Sequence, residues 1–187
     1  MKLFFSYVIT ILALVIFIQP AHTTVSKQVA VKKEIAFKKR VAVKPSFKSS
    51  LTKKDRRCLA LNIYWESRNE NMDGQIAIGY VTINRLLSYK YPSTICKVVW
   101  EKRRNRKTKK LVPMFSWTMD GKLDDPKDKL AWATSKSVAD YILKYYSKEN
   151  DPTHGALNYH ANYVKPVWRN IFSQRKYIGT HIFYWNE

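Results

Sequence analysis

The 187-residue chain carries 34 Lys and Arg against 14 Asp and Glu, a formal charge of +20, with 45% hydrophobic and 14% aromatic residues. That length suits one domain plus appendages, and that apolar content supplies a packed core, which excludes an uncompacted polyelectrolyte. A field of this sign favours anionic polymers: nucleic acid, acidic wall polymers or an anionic membrane surface.

From Leu3 to Ile18 the chain has no charge, behind Met1-Lys2 and ahead of Pro20. A short positive start, an apolar run and a helix-breaking Pro read as a secretory signal over residues 1–22. Neither Gln19-Pro20-Ala21 nor Ala21-His22-Thr23 is a clean cleavage site. An uncleaved anchor through residues 3–18 is therefore the second reading, although a span needs roughly 20 residues. Both readings export the remainder to the periplasm or cell envelope. There Cys58 and Cys96 are expected to form one disulfide; in a reducing compartment they would be separate buried thiols.

Residues 23–54 hold ten Lys/Arg and one Glu. A six-residue quasi-repeat places Val29, Val31, Ile35, Phe37, Val41 and Val43 on one side in strand-like alternation. A flexible basic linker is the default reading, and a segment in contact with an anionic envelope surface is the other.

The folded domain is expected over 55–187. Cys58, Leu61 and Trp65, with Ala60 and Tyr64, recur at three- and four-residue intervals and predict a buried helix over 56–66. A polar break follows at 69–74, then a helix over 75–87. Ser93 or Thr94 caps a short helix through Trp100. Residues 101–110 carry seven Lys/Arg and read as an exposed loop. Asp124-Asp125-Pro126 is expected to open the next helix, with Leu130, Ala133, Val138, Tyr141, Ile142 and Tyr145 as its apolar stripe. Residues 156–160 and 181–185 read as strands, with irregular chain between them. The fold class is α+β, mainly helical with a small late β-sheet.

Glu66 ends the apolar run Leu61-Asn62-Ile63-Tyr64-Trp65. A carboxyl set against Tyr and Trp loses hydration, which raises its pKa toward the range of a general acid. A helix whose apolar face ends at an exposed Glu is the structural alternative, and these residues alone leave it standing. Glu70 is four residues on, but Arg68-Asn69 should end the helix, so no carboxylate pair stands out. His154, His160 and His181 lack the short pairing of zinc ligands, and no Gly-x-Ser-x-Gly elbow exists. No metal or cofactor is expected. Trp117, Tyr159, Tyr163 and Trp168 sit beside Ser116, His160, Asn162 and Arg169. Each singly reads as core; interleaved, they suit a carbohydrate groove or a nucleic-acid groove.

The ordered blocks Cys58 to Glu70, Gly74 to Gly79 with Asn84-Arg85, Pro92 to Val99, Phe115 to Thr118, Asp151-Pro152-Thr153, Tyr159-His160-Ala161 and Gly179 to Tyr184 resemble the SleB/CwlJ-type cell wall hydrolases. Departures flank the key acid: Trp65 where such proteins usually carry His, Ser67 for Ala and Asn69 for Gly. The resemblance implies a lysozyme-like, lytic-transglycosylase-like fold acting on peptidoglycan, with Glu66 as the catalytic acid and then base. It also makes peptidoglycan the expected partner, with no nucleic acid, and the interleaved set Ser116, Trp117, Tyr159, His160, Tyr163 and Trp168 the expected substrate contacts. A muramidase, an amidase or an inactive wall-binding module are the alternatives.

Overall fold

In the computed structural model, which describes residues 51–186, helix α1 (Lys53–Ser67) starts from a capping box. Thr52 Oγ1 accepts from the Asp55 amide at 3.0 Å, and Asp55 Oδ2 accepts from the Thr52 amide and hydroxyl at 3.4 and 2.7 Å. The export segment 1–22 and residues 23–50 of the basic stretch lie outside the described residues. Among the described residues no helix is long and apolar enough to cross a membrane.

The other elements pack around α1. Leu59, Ala60 and Ile63 are wholly buried, with Cys58, Leu61 and Tyr64 nearly so. A helix apolar on most of its circumference belongs inside a domain, and α1 packs against α2 (Met72–Leu87), α3 (Ile95–Val99) and α4 (Lys129–Tyr145). Where α2 passes nearest its neighbours it carries Gly79, whose hydrogen stands where a Cβ would run into Ile142 and Ile63.

The Cys58–Cys96 pairing expected for an exported chain is present, with Cα atoms 5.2 Å apart, and it staples α1 to α3. Asp55 Oδ1 reinforces the join by accepting from the Cys96 amide at 3.2 Å. The bridge closes a loop across 38 positions, which stabilises the fold by roughly 3–4 kcal/mol in the chain-entropy description. Cys58→Ser should therefore lower the melting temperature by roughly 10 °C. Adding reductant should bring the parent down to the mutant and leave the mutant where it is. A parent unmoved by reductant would show that the bridge contributes nothing.

Two expectations need correction. Helix α4 begins at Lys129, not at residues 124–126, because Asp128 is its N-cap: its carboxylate accepts from the Ala131 amide at 3.0 Å. The Asp128 amide donates to the buried Tyr64 hydroxyl at 3.1 Å, which ties the helix start to α1. The buried stripe is Ser135, Val138, Ala139 and Ile142, whereas Leu130, Tyr141 and Tyr145 are exposed. Residues 101–110 are exposed as expected but not a simple loop: β1 (Lys102–Arg104) and β2 (Leu111–Pro113) form an antiparallel hairpin. Arg103 anchors it, donating to Glu101 at 2.7 Å and to the Lys90 carbonyl at 3.0 Å while stacking 4.4 Å over Tyr91.

After the 3-10 turn Ser116–Met119 and α4 comes a three-stranded antiparallel sheet of order β3-β5-β4. Strand β5 (His181–Trp185) falls on the expected 181–185 and β3 (Asn158–Ala161) overlaps the expected 156–160, while β4 (Gln174–Ile178) was not foreseen. Arg175 and Lys176 hide its strand pattern, as charges on an edge strand do. Tyr159 pairs with Phe183, so they share the face that packs on Ala77, Ile78 and Val81 of α2. His160, Ile182 and Tyr184 occupy the opposite face.

Candidate active site

Glu66 lies in the last turn of α1. The helix stops one residue later, where Ser67 Oγ donates back to the Ile63 carbonyl at 2.8 Å and the Arg68 guanidinium lies 5.0 and 5.1 Å over the Tyr64 and Trp65 rings. The carboxyl therefore sits at the negative end of a largely buried helix, on a cavity of about 360 Å³. One wall of that cavity is Trp65 to Glu70; the other is Ala161, Tyr163, Thr180 and His181 from the sheet.

Burial is the main cause that pushes the Glu66 carboxyl above the usual carboxylate range. The helix C-terminus acts in the same direction. Two groups oppose it without cancelling it. The Tyr159 hydroxyl donates to Glu66 Oε2 at 2.8 Å, and the Arg85 guanidinium favours the charged form through space. Arg85 is itself buried, its Nε donating to the Leu157 carbonyl at 2.9 Å and its plane lying 4.8 Å from the Phe115 ring. Burial and the Glu66 charge raise the Tyr159 phenol well above its ordinary value, so it stays a hydrogen-bond donor. Among the described residues Tyr159 supplies the one hydrogen bond Glu66 receives, and Oε1 accepts none.

Beneath the acid, Asn62 sits one helical turn earlier. Its Nδ2 donates to Thr82 Oγ1 at 3.0 Å, and its Oδ1 accepts from Trp117 Nε1 at 3.1 Å. Trp117 in turn stacks on Trp65 with ring centroids 6.3 Å apart. An Asn in the middle of a buried helix is thus fully used, fixing the aromatic floor beside Glu66.

The expected site residues separate into groups. Tyr159 touches Glu66, and Tyr163 stands on the cavity rim, 80% exposed. Trp117 is buried under Trp65, and Ser116 is exposed at the start of the 3-10 turn. His160 and Trp168 lie across the sheet: His160 Nε2 is 2.8 Å from the Tyr184 hydroxyl, and Trp168 packs edge-on against both rings. Glu70, Thr180 and His181 line the cavity, and Arg85 acts from behind it; the sequence weighs Glu70 only as a second acid and His181 only as a zinc ligand, and offers neither Thr180 nor Arg85 as a site residue. For Thr180 and Arg85 the only signal there is membership of the blocks that carry the resemblance. Among the described residues no cluster of three His, Cys, Asp or Glu side chains converges as metal ligands would.

The profile of the Cell Wall Hydrolase family matches residues 69–184. The chain belongs to that family. The match opens at Asn69, so it includes Glu70 and stops short of Glu66. A spore cortex-lytic enzyme of Bacillus cereus is 31% identical over 133 residues, covering 71% of this chain and 44% of that protein. Its Bacillus subtilis counterpart is 29% identical over 143 residues, covering 75% and 41%. The chain thus spans less than half the length of these curated relatives. Among solved structures, the catalytic domain of the germination-specific lytic transglycosylase SleB from Bacillus anthracis superposes with a TM-score of 0.55. The identity is 28%, over 72% of this chain and 97% of that domain. The catalytic domain of Bacillus cereus SleB gives 0.54 at 27% identity, over 72% and 93%. These matches bear out the resemblance to SleB/CwlJ-type hydrolases and the α+β, lysozyme-like fold expected with it.

Proposed function

We propose that the domain cleaves peptidoglycan glycan strands between N-acetylmuramic acid and N-acetylglucosamine as a lytic transglycosylase, with Glu66 as the catalytic residue. The observation that carries this reading is the Glu66 carboxyl on an open cavity, with Oε1 unengaged and its pKa raised by burial. The protonated Glu66 gives its proton to the glycosidic oxygen as the bond to the muramyl C1 breaks. The resulting carboxylate, steadied by Tyr159 and the field of Arg85, takes the proton of the muramyl C6 hydroxyl as that oxygen bonds to C1. The 1,6-anhydro ring closes, Glu66 ends protonated, and no water is consumed.

Use of one carboxyl twice fits the geometry. A carboxylate pair would need a second free acid at a defined separation, and Glu70, the other acid on the cavity, is bound on both oxygens. The family membership and the SleB catalytic domains support the same reaction and substrate. The export reading of 1–22 fits a wall substrate, and the +20 charge fits an anionic envelope, with residues 23–54 as the proposed contact.

The test is to incubate the full chain with purified peptidoglycan and weigh the products by mass spectrometry. Anhydromuramyl ends are expected. Reducing muramyl ends would make the enzyme a muramidase, in which water replaces the C6 hydroxyl. Free stem peptides would make it an amidase and overturn the reading.

A further inference from the structure

Glu70, four residues beyond the acid, does not share its freedom. Its side chain is 9% exposed, and both carboxylate oxygens are taken by the β4–β5 turn. The Thr180 amide donates to Oε2 at 2.9 Å, the Thr180 hydroxyl donates to Oε1, and His181 Nδ1 lies 3.6 Å from Oε1. Burial lowers the His181 pKa, so that last contact involves a neutral ring at neutral pH. The carboxylate lies in a slot that admits no extra atoms. A Cβ on Gly179 would overlap Oε2, and one on Gly74 would stand 2.9 Å from the Glu70 Cβ. Gly179 also turns the chain at φ +58°, a conformation side chains rarely adopt.

The turn so held has a second grip. The Thr180 carbonyl accepts from the Asn162 amide at 2.8 Å, and the next residue is Tyr163, the exposed aromatic on the cavity rim. Glu70 belongs to one wall of the cavity, and Thr180, His181 and Tyr163 belong to the other. Besides the bond from Tyr159 to Glu66, the two Thr180 bonds to Glu70 are the polar ties between these two walls among the described residues.

We propose that Glu70 is a positioning residue that clasps the β4–β5 turn to the end of α1, sets the width of the glycan groove and, through Thr180 and Asn162, presents Tyr163 to a sugar ring. The proposal rests on the reading of the cavity as the peptidoglycan site and adds a division of labour. Glu66 handles protons, and Glu70 holds the wall against which the strand lies.

The test compares Glu70→Ala, Glu70→Gln, Tyr163→Ala and the Glu70→Ala/Tyr163→Ala double variant in the full chain. Turnover of soluble uncrosslinked glycan strands gives kcat and KM, and the Kd for the same strands is measured in a Glu66→Gln background. Glu70→Ala should raise KM and Kd roughly tenfold with kcat nearly unchanged, since uniform binding is what a groove wall contributes. Glu70→Gln keeps an acceptor for the Thr180 amide and should recover part of that loss. The double variant should be no worse than Glu70→Ala alone. A kcat collapse on the scale of Glu66→Gln would overturn the clasp by making Glu70 a chemical group. A lower melting temperature with unchanged KM and Kd would overturn it by making Glu70 merely structural, and additive losses in the double variant would break the link to Tyr163. If the parent chain turns over no strands while Kd still responds to Glu70, the proposed reaction fails and the clasp stands.

Discussion

Glu66→Gln should remove turnover by roughly three orders of magnitude, the scale of a general acid–base group, and should leave the fold intact. The amide is nearly isosteric and keeps an oxygen for the Tyr159 hydroxyl, so binding of glycan strands should survive. Stability should rise rather than fall, and in a pH-dependent way. Because the folded pKa of Glu66 is raised, the folded state holds its proton in the window where the unfolded chain has released it. Stability from this group is therefore lost as pH rises from about 4.5 through the folded pKa. The variant, which never ionises, should melt higher than the parent at neutral pH and equally at pH 4. Thermal melts at the two pH values together with product analysis check both halves. Retained anhydromuramyl product in the variant would remove Glu66 from the chemistry.

Tyr159→Phe should shift the alkaline fall of kcat upward by about one pH unit. The hydroxyl stabilises the charged form of Glu66, and a hydrogen bond to a charged group is worth about 1.5 kcal/mol or more, or about one pKa unit. Removing it raises the Glu66 pKa further. Cleavage needs the protonated acid, so activity that disappears as pH rises through that pKa disappears later in the variant. At the optimum kcat should still fall, by roughly tenfold, because the carboxyl loses the partner that fixes its rotamer and the carboxylate left by proton donation loses the bond that steadies it. The pH dependence of kcat measures this directly. A rise in KM with an unshifted limb would instead make Tyr159 a sugar contact, the role its sequence neighbourhood suggested.

The apolar run into Glu66 made the acid legible because burial of a helix is written in its spacing: Cys58, Leu61 and Trp65 fix the helix, and the polarity change at Arg68 fixes its end. The central strand β5 was legible for a similar reason, since His181 to Trp185 is apolar on both faces. Strand β4 and the β1–β2 hairpin were not, because Lys and Arg on solvent-facing edges erase the alternation that marks strands. The start of α4 was misread because Asp124, Asp125 and Asp128 are all competent N-caps, and the choice among them is made by a hydroxyl 64 positions earlier, on Tyr64. The same limit separates Tyr159 from His160. Both are aromatic neighbours of polar residues, but adjacent positions on a strand point to opposite faces, and only the pairing with Phe183 tells which face meets Glu66. Glu70 reads in sequence only as a possible second acid, because the partner that defines its structural place is 110 positions away, in a turn whose glycine makes room for it.

Glu66 is carried by a helix that is both largely buried and covalently bridged to its neighbour. Most proteins place reactive groups on loops, where the local cost of opening is small. Here the backbone amides of Leu59 to Ile63 lie among wholly buried side chains and beneath a covalent bridge. Those amides should exchange with deuterium only through global unfolding, whereas the 162–172 segment on the far side of the cavity should exchange orders of magnitude faster. Heat should then abolish catalysis and helix content in one transition, with no preceding loss of activity from a loosened site.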